Sequence, residues 1–309
     1  MSVIVVPFDE IGWKELHGAP PAPGSMRHLE RQIRWVERDV ARQSGAAVAH
    51  NRGELAAILA KAEIALIHAV EGGFLLGNTA SKVQQNVQRL AQLGVAYVTV
   101  AHLFWRKVAT NAPAVPFLAD KTYECLFPQP ATGLCELGIA AVEAMVHNRV
   151  LVDVTHMSER AIDDTFALLG KLDPERRVPV IATHSACCFG KLEYNVSDRH
   201  IAAIADRNGV VGLIACRHYM TEGLPEPQTF DDSMAVIYRH VDRIHRVTGS
   251  YEHVSLGSDL DGFIKPTLPG LETPAAFRLV ERQLVSTYGA SAAKQICSDN
   301  ALRVLRSWG

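Results

Sequence analysis

The 309-residue sequence predicts a single-domain α/β protein of the (β/α)8 TIM-type barrel class, spanning residues 1–309, on three observations. Short runs of apolar or β-branched residues recur eight times, and each is followed by a helical pattern. These runs are nearly continuous instead of alternating, as strands of a parallel sheet buried on both faces require. The composition, 48% hydrophobic and 21% charged, is that of a globular chain able to bury a large core. An open doubly wound sheet is the competing architecture, but no GxGxxG follows the first strand.

The elements follow in order. Val3 to Val6 forms the first run, and Leu29, Ile33, Val36 and Val40 then fall at helical spacing with polar residues between them. Ala46 to Ala49 is the least marked strand; Ile64 to Val70 is the third, and Val83, Val87 and Leu90 mark the helix behind it. After the fourth run, Tyr97 to Ala101, the segment 104–133 holds Pro113, Pro116, Pro128 and Pro130 and reads as a long loop shaping a site. Val150 to Val154 precedes a helix through Ile162, Thr165 and Phe166 that Ser158 can cap; Val178 to Ala182 precedes one through Ile201 and Ile204 that Ser197 can cap. Val210 to Ile214 and His253 to Leu256 complete the set, and no internal repeat calls for a domain boundary.

Composition also excludes function classes. With 31 Lys+Arg against 33 Asp+Glu the net charge is −2, so no nucleic-acid partner is expected. No apolar run reaches the roughly 18 residues of a membrane span, so no membrane partner is expected either. Six cysteines without a CxxC pair read as reduced thiols of a cytoplasmic protein. A homodimer is the base-rate expectation for a soluble enzyme.

In a barrel, chemistry sits where the carboxyl ends of the strands converge. Asking which polar residues end the runs selects Asp9, Glu71, His102, His156, His184 and Asp259 from the chain. Imidazole nitrogens mixed with carboxylate oxygens are what zinc needs, and zinc-activated water is hydrolase chemistry. Other candidates are weaker. His68 lies inside a strand and reads as a satisfied core residue. Asp153 reads as orienting His156 or a nearby backbone group, and Asp261 competes with Asp259. His147, His200, His218, His240 and His245 have charged neighbours and read as surface.

The segments Val70-Glu71-Gly72-Gly73, Asp153-Val154-Thr155-His156-Met157-Ser158, Ala182-Thr183-His184-Ser185 and Gly257-Ser258-Asp259-Leu260-Asp261-Gly262 resemble the signatures of the membrane (renal) dipeptidase family. Asn195-Val196-Ser197-Asp198 and Asn208-Gly209-Val210-Val211-Gly212 are also similar to it. The resemblance runs from about Leu29 to the C-terminal Asn300-Ala301-Leu302 stretch. It implies a binuclear zinc hydrolase of the amidohydrolase type that cleaves dipeptides, often with a D-residue at the C-terminal position. Under it, Glu71 bridges two metals and His156 and His184 complete the shell of one. Asp259 moves the proton from attacking water to leaving amine, and His102 hydrogen-bonds the scissile carbonyl oxygen.

Two departures from the family pattern stand out. Where the family has a His-x-Asp pair ending the first strand, this chain has Pro7-Phe8-Asp9, so one metal site lacks a nitrogen ligand. Where the family has an Arg that grips the substrate carboxylate, this chain has Tyr194, a single hydroxyl in place of a bidentate fork. Lys191 and Arg199 lie nearby, but basic residues at a helix start are ordinarily solvated. Cys187-Cys188, close after His184, read as small loop residues, the alternative being a thiolate in place of the missing ligand. The expectation is therefore a hydrolase of small dipeptide-like substrates with one or two zinc ions, the second held weakly by Asp9 and Glu71, and with Tyr194 at the substrate. The alternatives are a hydrolase of another small amide or lactam, and a non-catalytic homologue.

Overall fold

The computed structural model describes residues 2–4, 25–115, 117–262 and 266–309. Val5 and Val6, and the Pro7-Phe8-Asp9 position with its expected ligand Asp9, lie outside the described residues. Each of the eight runs overlaps a strand, with ends shifted by up to three residues: β1 (Ser2–Ile4), β2 (Ala46–Ala49), β3 (Ile64–Glu71), β4 (Val95–Thr99), β5 (Leu151–Asp153), β6 (Val180–Ser185), β7 (Val210–Ile214) and β8 (Val254–Ser258). The helices used below are α1 (Ser25–Val40), α2 (Arg52–Ala60), α3 (Ala80–Gln92), α4 (Glu136–Asn148), α5 (Glu159–Leu172), α6 (Asp198–Asp206), α7 (Phe230–Thr248), α8 (Phe277–Lys294) and α9 (Asn300–Leu305). Strand and helix thus alternate along the described chain, which is the (β/α)8 order.

The chain forms two compact units: the described residues of 1–112, 121–178 and 305–309, and those of 113–120 and 179–304. In the first, β1, β3, β4 and β5 form a parallel sheet. β3 is long enough to pair two short strands in succession, and its last residue, Glu71, pairs Thr99 of β4. Ala46–Ala49 pair Ile64–Ile67, and Ser2–Ile4 then pair His68–Val70. Every residue of β4 is buried, in keeping with a strand covered on both faces. Val83, Val87 and Leu90 are fully buried on α3, which packs on α4.

Ser158 caps α5 as its sequence position suggests, accepting the Ala161 N–H at 3.2 Å. Tyr123 pins the long loop: it is buried, its hydroxyl donates to the Leu103 carbonyl at 2.5 Å, and Asn111 Nδ2 donates to it at 2.8 Å.

The second unit is a parallel β6–β7–β8 sheet backed by α6 and α7. Here three expectations are corrected. Ser197 stands at the N-cap of α6, but its side chain makes no cap bond; its hydroxyl lies 3.1 Å from His200 Nδ1 instead. His200 and His240 are buried, not surface residues. His240 shares a face of α7 with Val236, Ile237, Val241 and Ile244, so the apolar stripe carries it into the core despite Arg239 and Arg243 beside it.

Two glycines set the spacing of this sheet. A Cβ on Gly212 of β7 or on Gly257 of β8 would run into the carbonyl of Thr183 in β6. Their lack of a side chain lets three strands close on one backbone group. Among the described residues no helix is long and apolar enough to cross a membrane.

Candidate active site

In the first unit β3 delivers Glu71 at its carboxyl end, 8% exposed. His156 Nε2 lies 3.1 Å from Glu71 Oε1, and His102 Nε2 lies 3.7 Å from the other oxygen. The two imidazoles meet edge to face, their centroids 4.8 Å apart. One buried carboxylate with an imidazole nitrogen near each oxygen is a ligand-like arrangement.

The surroundings fix these groups. His156 sits in the left-handed backbone region (φ 68°), which a non-glycine residue keeps only where its surroundings hold it. Asp153, three residues earlier, accepts the Thr155 N–H at 3.0 Å and hydroxyl at 2.7 Å, and the Thr99 hydroxyl at 2.6 Å. Of its two readings, this geometry favours orienting neighbouring backbone. His102 stacks on Phe74, whose ring in turn carries the buried Arg106 guanidinium at 4.1 Å.

In the second unit β6 delivers His184, with its Nδ1 2.9 Å from the Thr183 hydroxyl. That contact orients the ring. Asp259 follows β8 in the left-handed region (φ 58°), and a side chain at Gly262 would overlap its carboxylate. The Gly-Ser-Asp-x-Asp-Gly motif therefore makes room for the Asp259 carboxyl. Asp261 stands beyond it on the turn.

Tyr194 is buried, and its hydroxyl proton goes to the His184 carbonyl at 2.7 Å. Its ring stacks on Tyr219 with centroids 4.0 Å apart. Burial pushes the Tyr219 phenol well above its ordinary range, and Asp259 is among the charges that add to this.

The cysteine pair does not resemble a thiolate ligand. Burial pushes the Cys187 thiol far up. Its amide donates to His240 Nδ1 at 3.0 Å, and its sulfur lies 3.6 Å from the His240 carbonyl. His240, in turn, is held neutral by burial with its pKa lowered to about 4, and its Nε2 lies 2.8 Å from the Met220 carbonyl. Cys188 directs its sulfur to the Gly190 carbonyl.

Sequence reasoning missed Thr183, Phe74, Arg106 and Tyr219. Only Thr183, adjacent to His184, carried a sequence signal; the others act through contacts between distant segments.

A family model for the membrane dipeptidase family (peptidase family M19) matches residues 16–308. An uncharacterised dipeptidase of Schizosaccharomyces pombe is 28% identical over 256 residues, which are 82% of this chain and 55% of that protein. The dipeptidase tcpJ of Claviceps purpurea is 26% identical over 290 residues, 91% of this chain and 60% of that one. The chain thus spans less than two thirds of the length of these relatives. A solved metallopeptidase from Rhodobacter sphaeroides, bound to a phosphinate mimic of the dipeptide L-Ala-D-Ala, has the same fold. It superposes with a TM-score of 0.75 at 20% identity, covering 99% of this chain and 86% of that one.

Proposed function

The chain belongs to the membrane dipeptidase family, peptidase family M19, and on that premise we propose that residues 1–309 form one barrel that hydrolyses dipeptide-like substrates with a metal-activated water. The observation that carries this reading is the buried Glu71 carboxylate with His156 Nε2 at 3.1 Å and His102 Nε2 at 3.7 Å, on the family's own motif positions. The donor types fit a zinc-class ion: Glu71 and His156 are a buried carboxylate beside a buried imidazole, and each offers one ligand atom.

When bound, the ion supplies a water of lowered pKa and polarises the substrate carbonyl. The chain's residues do the rest. Glu71, His156 and His184 would hold the ion, with His184 oriented through Thr183. Asp259 accepts the proton of the attacking water and returns it to the leaving amine. His102, steadied by its stack on Phe74, donates to the carbonyl oxygen as negative charge develops there.

Asp9 and Glu71 would hold a second ion, more weakly than the first because Pro7 supplies no nitrogen. A D-residue at the C-terminal position is part of this reading, in line with the ligand of the Rhodobacter relative.

Tyr194 favours a second reading of the substrate. Its hydroxyl proton is committed to the His184 carbonyl and its ring to the stack on Tyr219, so it grips no carboxylate. Small amides or lactams without a free α-carboxylate then bind as well as free dipeptides.

Metal analysis of the purified chain, together with hydrolysis of L-L and L-D dipeptides and their C-terminal amides, tests both readings. Hydrolysis of free dipeptides and amides alike supports the Tyr194 argument. Strict preference for the free acid overturns it, and a metal-free protein inert with added zinc overturns the enzyme in favour of a non-catalytic homologue.

A further inference from the structure

Three residues before Glu71, a second group of imidazoles and carboxylates stands apart from the catalytic set. β3 changes partner here: Ala49 of β2 pairs Ile67, and Ser2 of β1 pairs His68. His50, next after β2, therefore comes beside His68, and Glu37 of α1 reaches both. Its Oε1 lies 3.0 Å from His50 Nε2 and 3.6 Å from His68 Nε2.

His68 has no exposed surface, and neither of its ring nitrogens has a hydrogen-bond partner among the described residues. The expectation of a satisfied core histidine is corrected on this point. Burial holds its pKa below the ordinary imidazole value, so it is neutral and carries a free lone pair.

His50 is oriented for ligation from behind. Its Nδ1 lies 2.8 Å from Glu54 Oε2, which also accepts the His50 N–H at 3.0 Å, while Asn51 Nδ2 donates to Glu54 Oε1 at 2.9 Å. A carboxylate behind one ring nitrogen is the usual support of a metal-bound histidine, and it points the other nitrogen at the ion. Carboxylates thus face His50 from both sides, and a cation must lie between Nε2 and Glu37. A proton there satisfies His50 alone; a metal ion satisfies His68 as well.

We propose that Glu37, His50 and His68 bind one divalent transition-metal ion of the zinc class, with water as fourth ligand, clipping α1 and the β2–α2 connection to β3. The Glu37 oxygen lies 3.0 and 3.6 Å from the two imidazole nitrogens, close to the roughly 3.3 Å between ligands of a tetrahedral zinc ion, but the three donors do not all lie within 4.8 Å of one another. The ring centroids are 6.3 Å apart, whereas two imidazoles on one zinc lie about 5 Å apart. Binding therefore draws the half-exposed His50 ring inward by about 1 Å, a small movement for a side chain at the surface.

The test is a zinc titration of the full-length, metal-stripped chain, with bound metal counted after desalting. His50→Gln and Glu37→Gln, both at partly exposed positions, each bind one equivalent fewer than the unsubstituted chain, or bind that equivalent at least tenfold more weakly. Dipeptide hydrolysis at saturating zinc stays within twofold. Equal metal content and affinity in all three proteins overturns the proposal, as does loss of hydrolysis without loss of metal. Crystals grown with zinc give a direct second reading. An anomalous peak among Glu37, His50 and His68 supports the site, and a peak beside Glu71 with none here overturns it.

Discussion

Glu71 and Glu37 each stand between two imidazoles at nearly the same distances, 3.1 and 3.7 Å in one case, 3.0 and 3.6 Å in the other, yet their settings differ. Glu71 ends a strand, its partners sit on chain leaving other strands, and His156 is held in an unfavourable backbone region. Glu37 lies along a helix, one partner is locked in the core, and the other is braced by Glu54 at the surface. The lesson is that a carboxylate–imidazole cluster by itself says only that a cation is welcome. Chemistry also requires strand-end presentation, strain and a proton carrier, the role proposed for Asp259; a clip between elements requires none of these.

Substitutions can break or sharpen that contrast. The largest effect is expected for Glu71→Gln, which lowers kcat/KM for a dipeptide at least about a thousandfold, whereas Glu37→Gln leaves it nearly unchanged. Similar losses in both would erase the distinction between the two clusters. Asp259→Asn comes next, with kcat reduced by about 10² to 10⁴ and the corresponding limb of the pH–rate profile lost, while metal content stays the same. An intact pH profile would move the proton-carrying role to Asp261. His102→Gln costs about a hundredfold, chiefly in kcat, if the ring acts on the developing oxyanion; a change confined to KM would make it a ground-state contact.

The smallest effect concerns the outer cluster and pH. Burial alone would lower His50, but its hydrogen bonds with Glu54 and Glu37 outweigh this and hold it above the ordinary imidazole value, while the bond to His50 holds Glu54 below the ordinary carboxylate value. A raised histidine contributes stability that is present below about pH 6.5 and lost as pH rises through its folded value; a lowered carboxylate contributes stability lost as pH falls through its own. Urea midpoints of the unsubstituted chain and His50→Gln, both with chelator, should therefore differ most between those two values and converge outside them. The difference is small because the pair is near the surface. A gap that keeps widening above pH 8 would contradict the assignment of charge to His50.

Much of this is legible in the amino-acid sequence, for a physical reason. An apolar run that stops at a polar residue marks a strand end, so Glu71, His156, His184 and Asp259 stand out from hydrophobicity alone and are sharpened by their motifs. His240 and His200 mislead a reader who gives charged neighbours more weight than the periodicity around them; the stripe Val236, Ile237, Val241, Ile244 already contains His240. What no local pattern encodes is contact across distance: Arg106 over Phe74, Tyr219 against Tyr194, and His50 beside His68 through the change of partner on β3. The Tyr194 position is legible, but the commitment of its proton to the His184 carbonyl is not.

Gly212 and Gly257 close on the Thr183 carbonyl, one residue before His184 and two before Asp259. The separation of those two groups is therefore set by main chain against main chain, with no side chain to act as an adjustable shim. A methyl group at position 257 would alter turnover as surely as removal of a reacting group, while touching neither substrate nor metal. Directed evolution of this site should find almost no tolerance at these two bare positions.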